Sequence, residues 1–276
     1  MAFVVGLAML LYPTISNYWN SIHQTQAIAS YSNAVEDAQQ SEKDLMWKQA
    51  VLYNEKLSDN TQVWKLTEAQ RTEYESILDV TGTGIMGYVE IPKIHVSLPI
   101  YHGVEESVLQ VAIGHLEGTS LPTGGKSTHC VISGHRGLMS AKLFSELDQL
   151  TEGDLFVLLV LDETLTYEVD QIRIVEPDEL DDLKIVQGKD YCTLVTCTPY
   201  GVNSHRLLIR GHRTENAEDY ANITANAVEF GAFTVAAFIA VPILIALFVW
   251  VMVTTRRKKA AVITETYDLK DLKKKD

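Results

Sequence analysis

Hydrophobic and polar positions change their period several times along this chain of 276 residues. Residues 2–12 are almost continuously apolar. From residue 17 to about 79 the background is rich in Ala, Gln, Glu, Asn and Ser. Within it apolar positions recur at helical spacing, first Ile28, Tyr31 and Val35, then Leu45, Val51 and Leu52. Thr67 followed by Glu68, Ala69 and Gln70 carries a capping-box pattern and predicts a helix start that continues through Tyr74, Ile77 and Leu78. From Gly82 the period shortens. Runs rich in β-branched residues at 87–91, 96–100, 129–133, 155–160, 165–174, 192–197 and 206–210 are separated by Gly, Pro and Asp. Many short strands at this spacing predict a closed β-barrel or a sandwich, with helical interruptions at 105–111 and 139–150.

The last change is the largest. Residues 230–253 carry no charge. At about 1.5 Å per residue they reach about 36 Å, enough for a hydrocarbon core of about 30 Å with some tilt. Pro242 is a kink that a membrane helix tolerates. Arg256, Arg257, Lys258 and Lys259 follow, so the positive-inside rule puts the C-terminal tail in the cytoplasm and the bulk of the chain outside. The apolar stretch at 2–12 is too short to cross a bilayer, and it lacks the basic flank and cleavage site of a signal peptide.

Charge sharpens the picture. The net charge is -13, yet residues 256–276 hold eight basic and four acidic side chains, +4, which leaves -17 on the remainder. A body that acidic is a poor binder of phosphate backbones, so no nucleic-acid partner is expected. Solubility is the plain meaning of this charge, and steering of basic, lysine-bearing partners a further one. The charged fraction of 21% suits a folded protein. No metal-ligand spacing and no glycine-rich phosphate loop is present, so neither metal nor cofactor is expected.

Candidate chemistry gathers at strand ends. Cys197 closes the run at 192–197 and is followed by Thr-Pro-Tyr-Gly, so it stands where a strand leaves into a turn; Arg206 opens the next run. His135 closes the run that begins at Cys130 and precedes Arg136 and Gly137. A thiol, an imidazole and a guanidinium supply a nucleophile, a base and an oxyanion stabiliser. Cys130 and Cys192 read as buried structural thiols. Of the eight histidines, His205 is the rival of His135, but alternation along a strand points it away from the face of its neighbour Arg206.

The segment Thr193-Leu194-Val195-Thr196-Cys197 with Arg206, together with His135-Arg136-Gly137, resembles the active-site segments of sortases. These are membrane-anchored cysteine transpeptidases of Gram-positive bacteria. The resemblance covers about 82–213 and is greatest to the pilus-building class C group. It implies a mainly β fold, a closed eight-stranded barrel with short helices, preceded by a helical N-terminal arm and followed by a transmembrane helix. The chain then divides into a truncated apolar membrane segment (1–16), the arm with a degenerate lid (17–80), the catalytic barrel (81–215), a linker (216–229), the membrane helix (230–253) and a basic cytoplasmic tail (254–276). On this reading Met1 lies within the bilayer and the catalytic domain is extracytoplasmic. Cys197, His135 and Arg206 are the implied catalytic residues. The implied partners are pilin or surface proteins bearing a signal like Leu-Pro-any-Thr-Gly, with a pilin lysine as acyl acceptor. Attachment of surface proteins to peptidoglycan is the alternative, and a catalytically inactive surface-binding module is the alternative of another class.

In the family the strands that end at the catalytic His and Cys run parallel and adjacent. Cys130 lies five residues before His135, and Cys192 five before Cys197, so these two thiols are expected close together, and free rather than bridged. Class C sortases carry a lid with an Asp-Pro-aromatic motif. Here the matching region offers Asp59 and, displaced, Trp64, with no proline; either the lid is missing or it binds differently. Finally, Leu121-Pro122-Thr123-Gly124-Gly125 looks like a sorting signal but lacks a following apolar segment and basic tail, and reads as an ordinary Pro-Gly turn.

Overall fold

The structure, a computed structural model, describes residues 2–59, 64–216, 250 and 254. The chain divides into two compact units, residues 1–227 and 228–276, and the barrel with its helices belongs to the first. The expected membrane helix at 230–253 lies outside the described residues apart from Trp250. Among the described residues no helix is long and apolar enough to cross a membrane.

The arm is three helices. Helix α1 (Ala2–Asp37) contains Pro13 and runs unbroken through the expected boundary at residue 16, so the apolar segment and the arm share one helix. Its early turns expose Met9, Leu10, Tyr12, Ile15 and Trp19. Further along, Ile28, Tyr31 and Val35 are buried, and Tyr31 and Val35 pack with Ile85. The Tyr31 hydroxyl donates to the Met86 carbonyl (3.1 Å) and accepts the Leu161 amide (2.7 Å), tying the helix to two parts of the barrel. Helix α2 (Gln40–Asp59) bears out the helical spacing, but the packing positions differ from the apolar ones that showed it. Leu45 and Leu52 are exposed, and the helix instead packs through Trp47, Ala50 and Tyr53. Helix α3 (Glu68–Ser76) begins as its motif predicts: Thr67 accepts the Gln70 amide, and Gln70 Oε1 accepts the Thr67 amide at 2.9 Å.

Eight strands follow: β1 (Ile85–Ile91), β2 (Val96–His102), β3 (Ile113–His115), β4 (Thr128–Ser133), β5 (Leu155–Val160), β6 (Glu163–Val175), β7 (Asp190–Thr198) and β8 (His205–Arg213). Seven match the apolar runs of the sequence. The eighth, β3, is three residues long and too short to show a period. The strands close in the order β1-β2-β3-β4-β7-β8-β6-β5. The pairs β2/β3 and β4/β7 are parallel and the other neighbours antiparallel. A short helix α4 (Glu106–Leu109) occupies the first expected interruption. The second, 139–150, holds only one 3-10 turn at Leu147–Gln149.

Alternation sorts β7 and β8 into two faces. Cys192, Leu194, Leu207 and Ile209 join Phe144 and Phe156 in the barrel interior. Val195 and Leu208 look outward and form a second cluster with Val131, Val175 and Leu183. The turn at Leu121 is interior furniture. Leu121, Pro122 and Thr123 are buried, and Asn54 of α2 donates to the Leu121 carbonyl and to Thr123 Oγ1 (both 2.9 Å) while accepting the Leu121 amide (2.7 Å).

Candidate active site

The site forms where β4, β7 and β8 end side by side. In the antiparallel β7/β8 ladder Cys197 and Arg206 are register partners. Directly opposed residues share one face, with Cβ atoms about 4.5–5.5 Å apart. In the parallel β4/β7 ladder Ser133 pairs with Val195. The pairing continues past the end of β4: the Gly134 amide donates to the Val195 carbonyl (3.0 Å) and Thr196 Oγ1 to the Gly134 carbonyl (2.7 Å). One residue further, the same offset brings His135 level with Cys197. The thiol is thus flanked by the imidazole segment on one side and the guanidinium on the other.

Local chemistry explains these positions. Gly134 is required because a Cβ there would come within 2.7 Å of both Ile113 and Phe144 side-chain atoms. Gly137 has φ +79° and sits against the Tyr200 ring, which releases the chain from the strand direction just after His135. Between them Arg136 donates to Thr198 Oγ1 (3.3 Å) and pairs with Asp148, tying the turn after Cys197 to the segment after His135. The Thr198–Pro199 peptide bond is cis. Arg206 Nη1 donates to the carbonyls of Asn203 (3.3 Å) and His205 (3.1 Å), which anchors one corner of the guanidinium to that turn. His205 is taken up by other partners: its Nε2 lies 3.2 Å from Glu176, and Ser204 Oγ is 2.8 Å from its Nδ1.

Three further histidines are structural. His102 contacts the Gly84 and Ile77 carbonyls, His115 the Tyr74 hydroxyl and the Ser120 carbonyl, and His129 the Lys184 carbonyl and Thr193 Oγ1. Burial pushes the His129 imidazole down to about 4, so it stays neutral. Cys130 and Cys192 are register partners inside the barrel, as their equal offsets predict, and all three cysteines are free thiols. Burial and the neighbouring sulfur push the Cys192 thiol well above the usual range, which makes it a poor nucleophile.

A cleft of about 180 Å³ leads away from Arg206 over the outward-facing residues Val131, Val195 and Leu208, walled by Val175, Leu180 and Leu183. The half-buried Trp64 packs against this same apolar cluster. Asp59 is the last residue of α2, and residues 60–63 between it and Trp64 lie outside the described residues. Among the described residues no group of three or more His, Cys, Asp or Glu is arranged to hold a metal ion.

Sequence and structure comparisons place the chain among known proteins. The sortase domain family model matches residues 89–214. Sortase C1 of Streptococcus agalactiae is 53% identical and superposes with a TM-score of 0.68 over 70% of this chain and all of that one. The chain belongs to the sortase family. Members of this family are cysteine transpeptidases. A sortase C of Clostridium perfringens, solved with the C-terminal cell wall sorting motif, is 42% identical with a TM-score of 0.62 over 69% of this chain and 99% of that one. Sortase D of Bacillus subtilis is 32% identical over 46% of this chain, and that match spans 63% of the relative's length.

One feature of this sortase's site has no signal in the sequence. Glu106 Oε2 lies 3.4 Å from His135 Nε2. The residue sat in a predicted helical interruption, but nothing in a linear pattern joins it to an imidazole so distant along the chain.

Proposed function

We propose that this sortase cleaves a sorting signal resembling Leu-Pro-any-Thr-Gly and joins the released acyl group to a pilin lysine. The observation that carries the reading is the pairing of Cys197 with Arg206 across one ladder, with His135 level on the other side. The Cys197 thiolate attacks the threonine carbonyl carbon, and Arg206 stabilises the oxyanion, its charge permanent and its donors rigid. The C–N bond breaks as His135 gives its proton to the leaving amine, which leaves a thioester on Cys197. The lysine amine then attacks that thioester, His135 takes the amine's proton, and the thiolate departs. The cell wall sorting motif seen with the Clostridium perfringens enzyme supports this substrate class.

We further propose that Trp64 is the working part of a lid. It lies on the apolar wall of the cleft where a substrate side chain would pack. The proposed topology keeps the barrel outside the membrane, held by the apolar segments at either end of the chain.

Incubating the full chain with sorting peptides, a pilin and a peptidoglycan stem peptide, then mapping the products by mass spectrometry, tests the reading. A thioester on Cys197 and a lysine isopeptide support it. A peptidoglycan stem linkage favours the cell-wall alternative, and full biological function in Cys197→Ala would leave only a binding module.

A further inference from the structure

We infer that Glu106 is a positioning residue, which holds the His135 ring with its Nε2 bonded to a carboxylate and its Nδ1 turned to the reaction. This rests on the proposed role of His135 as the acid and base. Three observations carry it. The Glu106 carboxylate is split between two partners: one oxygen takes the Gln110 side-chain amide, and the other lies 3.4 Å from His135 Nε2. Among the described residues it is the carboxylate within ion-pair range of this ring, while the adjacent Arg136 is engaged with Asp148 and Thr198.

The second observation is that Glu106 is placed by the arm. Helix α4 is gripped from both sides. Arg71 of α3 pairs with Glu105 (2.8 Å) and with Glu117 (2.7 Å), and Gln24 of α1 donates to the Val111 carbonyl (2.7 Å). The Tyr74 hydroxyl accepts the Gly103 amide (3.0 Å) just before α4. A four-residue helix would not hold its orientation alone, and these contacts at its two flanks keep it beside β3.

The third is chemical. Gln110, and after it the imidazole, hold the Glu106 carboxyl below its usual range, so it is an acceptor at neutral pH. An acceptor at Nε2 selects the tautomer with the proton there. The lone pair of neutral His135 then sits on Nδ1, free to take a proton from the incoming amine. The protonated ring donates from Nδ1 to the leaving amine, and the Nε2 proton never leaves. Catalytic hydrogen bonds are commonly long before substrate binds and tighten in the complex, which suits a contact of 3.4 Å.

The test uses the detergent-solubilised full chain with ¹⁵N-labelled histidine. Long-range ¹H–¹⁵N spectra of the neutral His135 ring should show mostly the Nε2–H form in the parent and a mixed population in Glu106→Ala. With a sorting peptide, Glu106→Ala should lower kcat by about three- to tenfold with KM within about twofold, as loss of one exposed charged hydrogen bond allows. Glu106→Gln, which keeps an acceptor, should recover part of the loss. An unchanged ring population in Glu106→Ala, or an unchanged kcat, overturns the inference. If instead His135→Ala turns over like the parent, the assignment of His135 itself has failed, and the ring spectra still report on Glu106 separately.

Discussion

Arg206, which lines the cleft, stands directly across the ladder from Cys197, so the guanidinium and the thiol share one face of the sheet. In the proposed reaction, a fixed cation there would stabilise the charge that develops when the thiolate adds to a carbonyl. Arg206→Ala should therefore lower kcat by about 10²- to 10³-fold with a small change in KM. Arg206→Lys should restore little, because an ammonium lacks the planar fork. Steady-state kinetics on a sorting peptide checks this, and a lysine variant near parental activity would refute it.

Trp64 packs on the apolar cluster that walls the cleft, where the proposed substrate would have to displace it. Burying part of an indole is worth about 2 kcal/mol, so removing it should raise basal peptide hydrolysis by about thirtyfold. Trp64→Ala and a deletion of residues 58–65 should behave alike. If neither accelerates hydrolysis, the segment is no lid.

Asn54 joins the arm to the barrel by three buried hydrogen bonds to the turn at Leu121 and Thr123. Asn54→Ala strands a buried amide and carbonyl and should cost about 2–3 kcal/mol in denaturant unfolding. A loss below about 0.5 kcal/mol would mean that the turn finds other partners.

Glu90 on β1 is buried, and burial pushes its carboxyl up from 4.5 to about 7. A carboxyl with a raised folded-state pKa favours the protonated form. Its contribution to stability is complete below the unfolded value of about 4.5 and is lost as pH rises through about 7. Glu90→Gln should flatten that decline and exceed the parent at pH 8 by on the order of 1–2 kcal/mol. Parallel melting curves across this window decide it; an unchanged slope would show that the carboxylate is solvated.

The local rules carried far. Seven strands and the capping box at Thr67 are legible in runs and spacings, while the nearness of Cys130 to Cys192 follows from equal offsets only once the family resemblance makes their strands parallel neighbours. They failed where the signal is short or shared. Ile113, Gly114 and His115 make too brief a strand to alternate, and Leu45 and Leu52 keep helical spacing on a face left exposed among the described residues.

By itself the sequence determined seven of the eight strands, with a thiol near the end of one, a guanidinium near the start of the next and an imidazole two residues past the end of a third. These properties depend on neighbours within a few positions, where backbone period and turn chemistry act. Only the tertiary structure decided that β7 lies between β4 and β8, that Trp64 reaches the cleft wall, and that Glu106 meets His135. Those contacts follow from which strand edges pair and how the arm grips α4. Residues far apart in the chain satisfy such constraints together, so no local pattern records them.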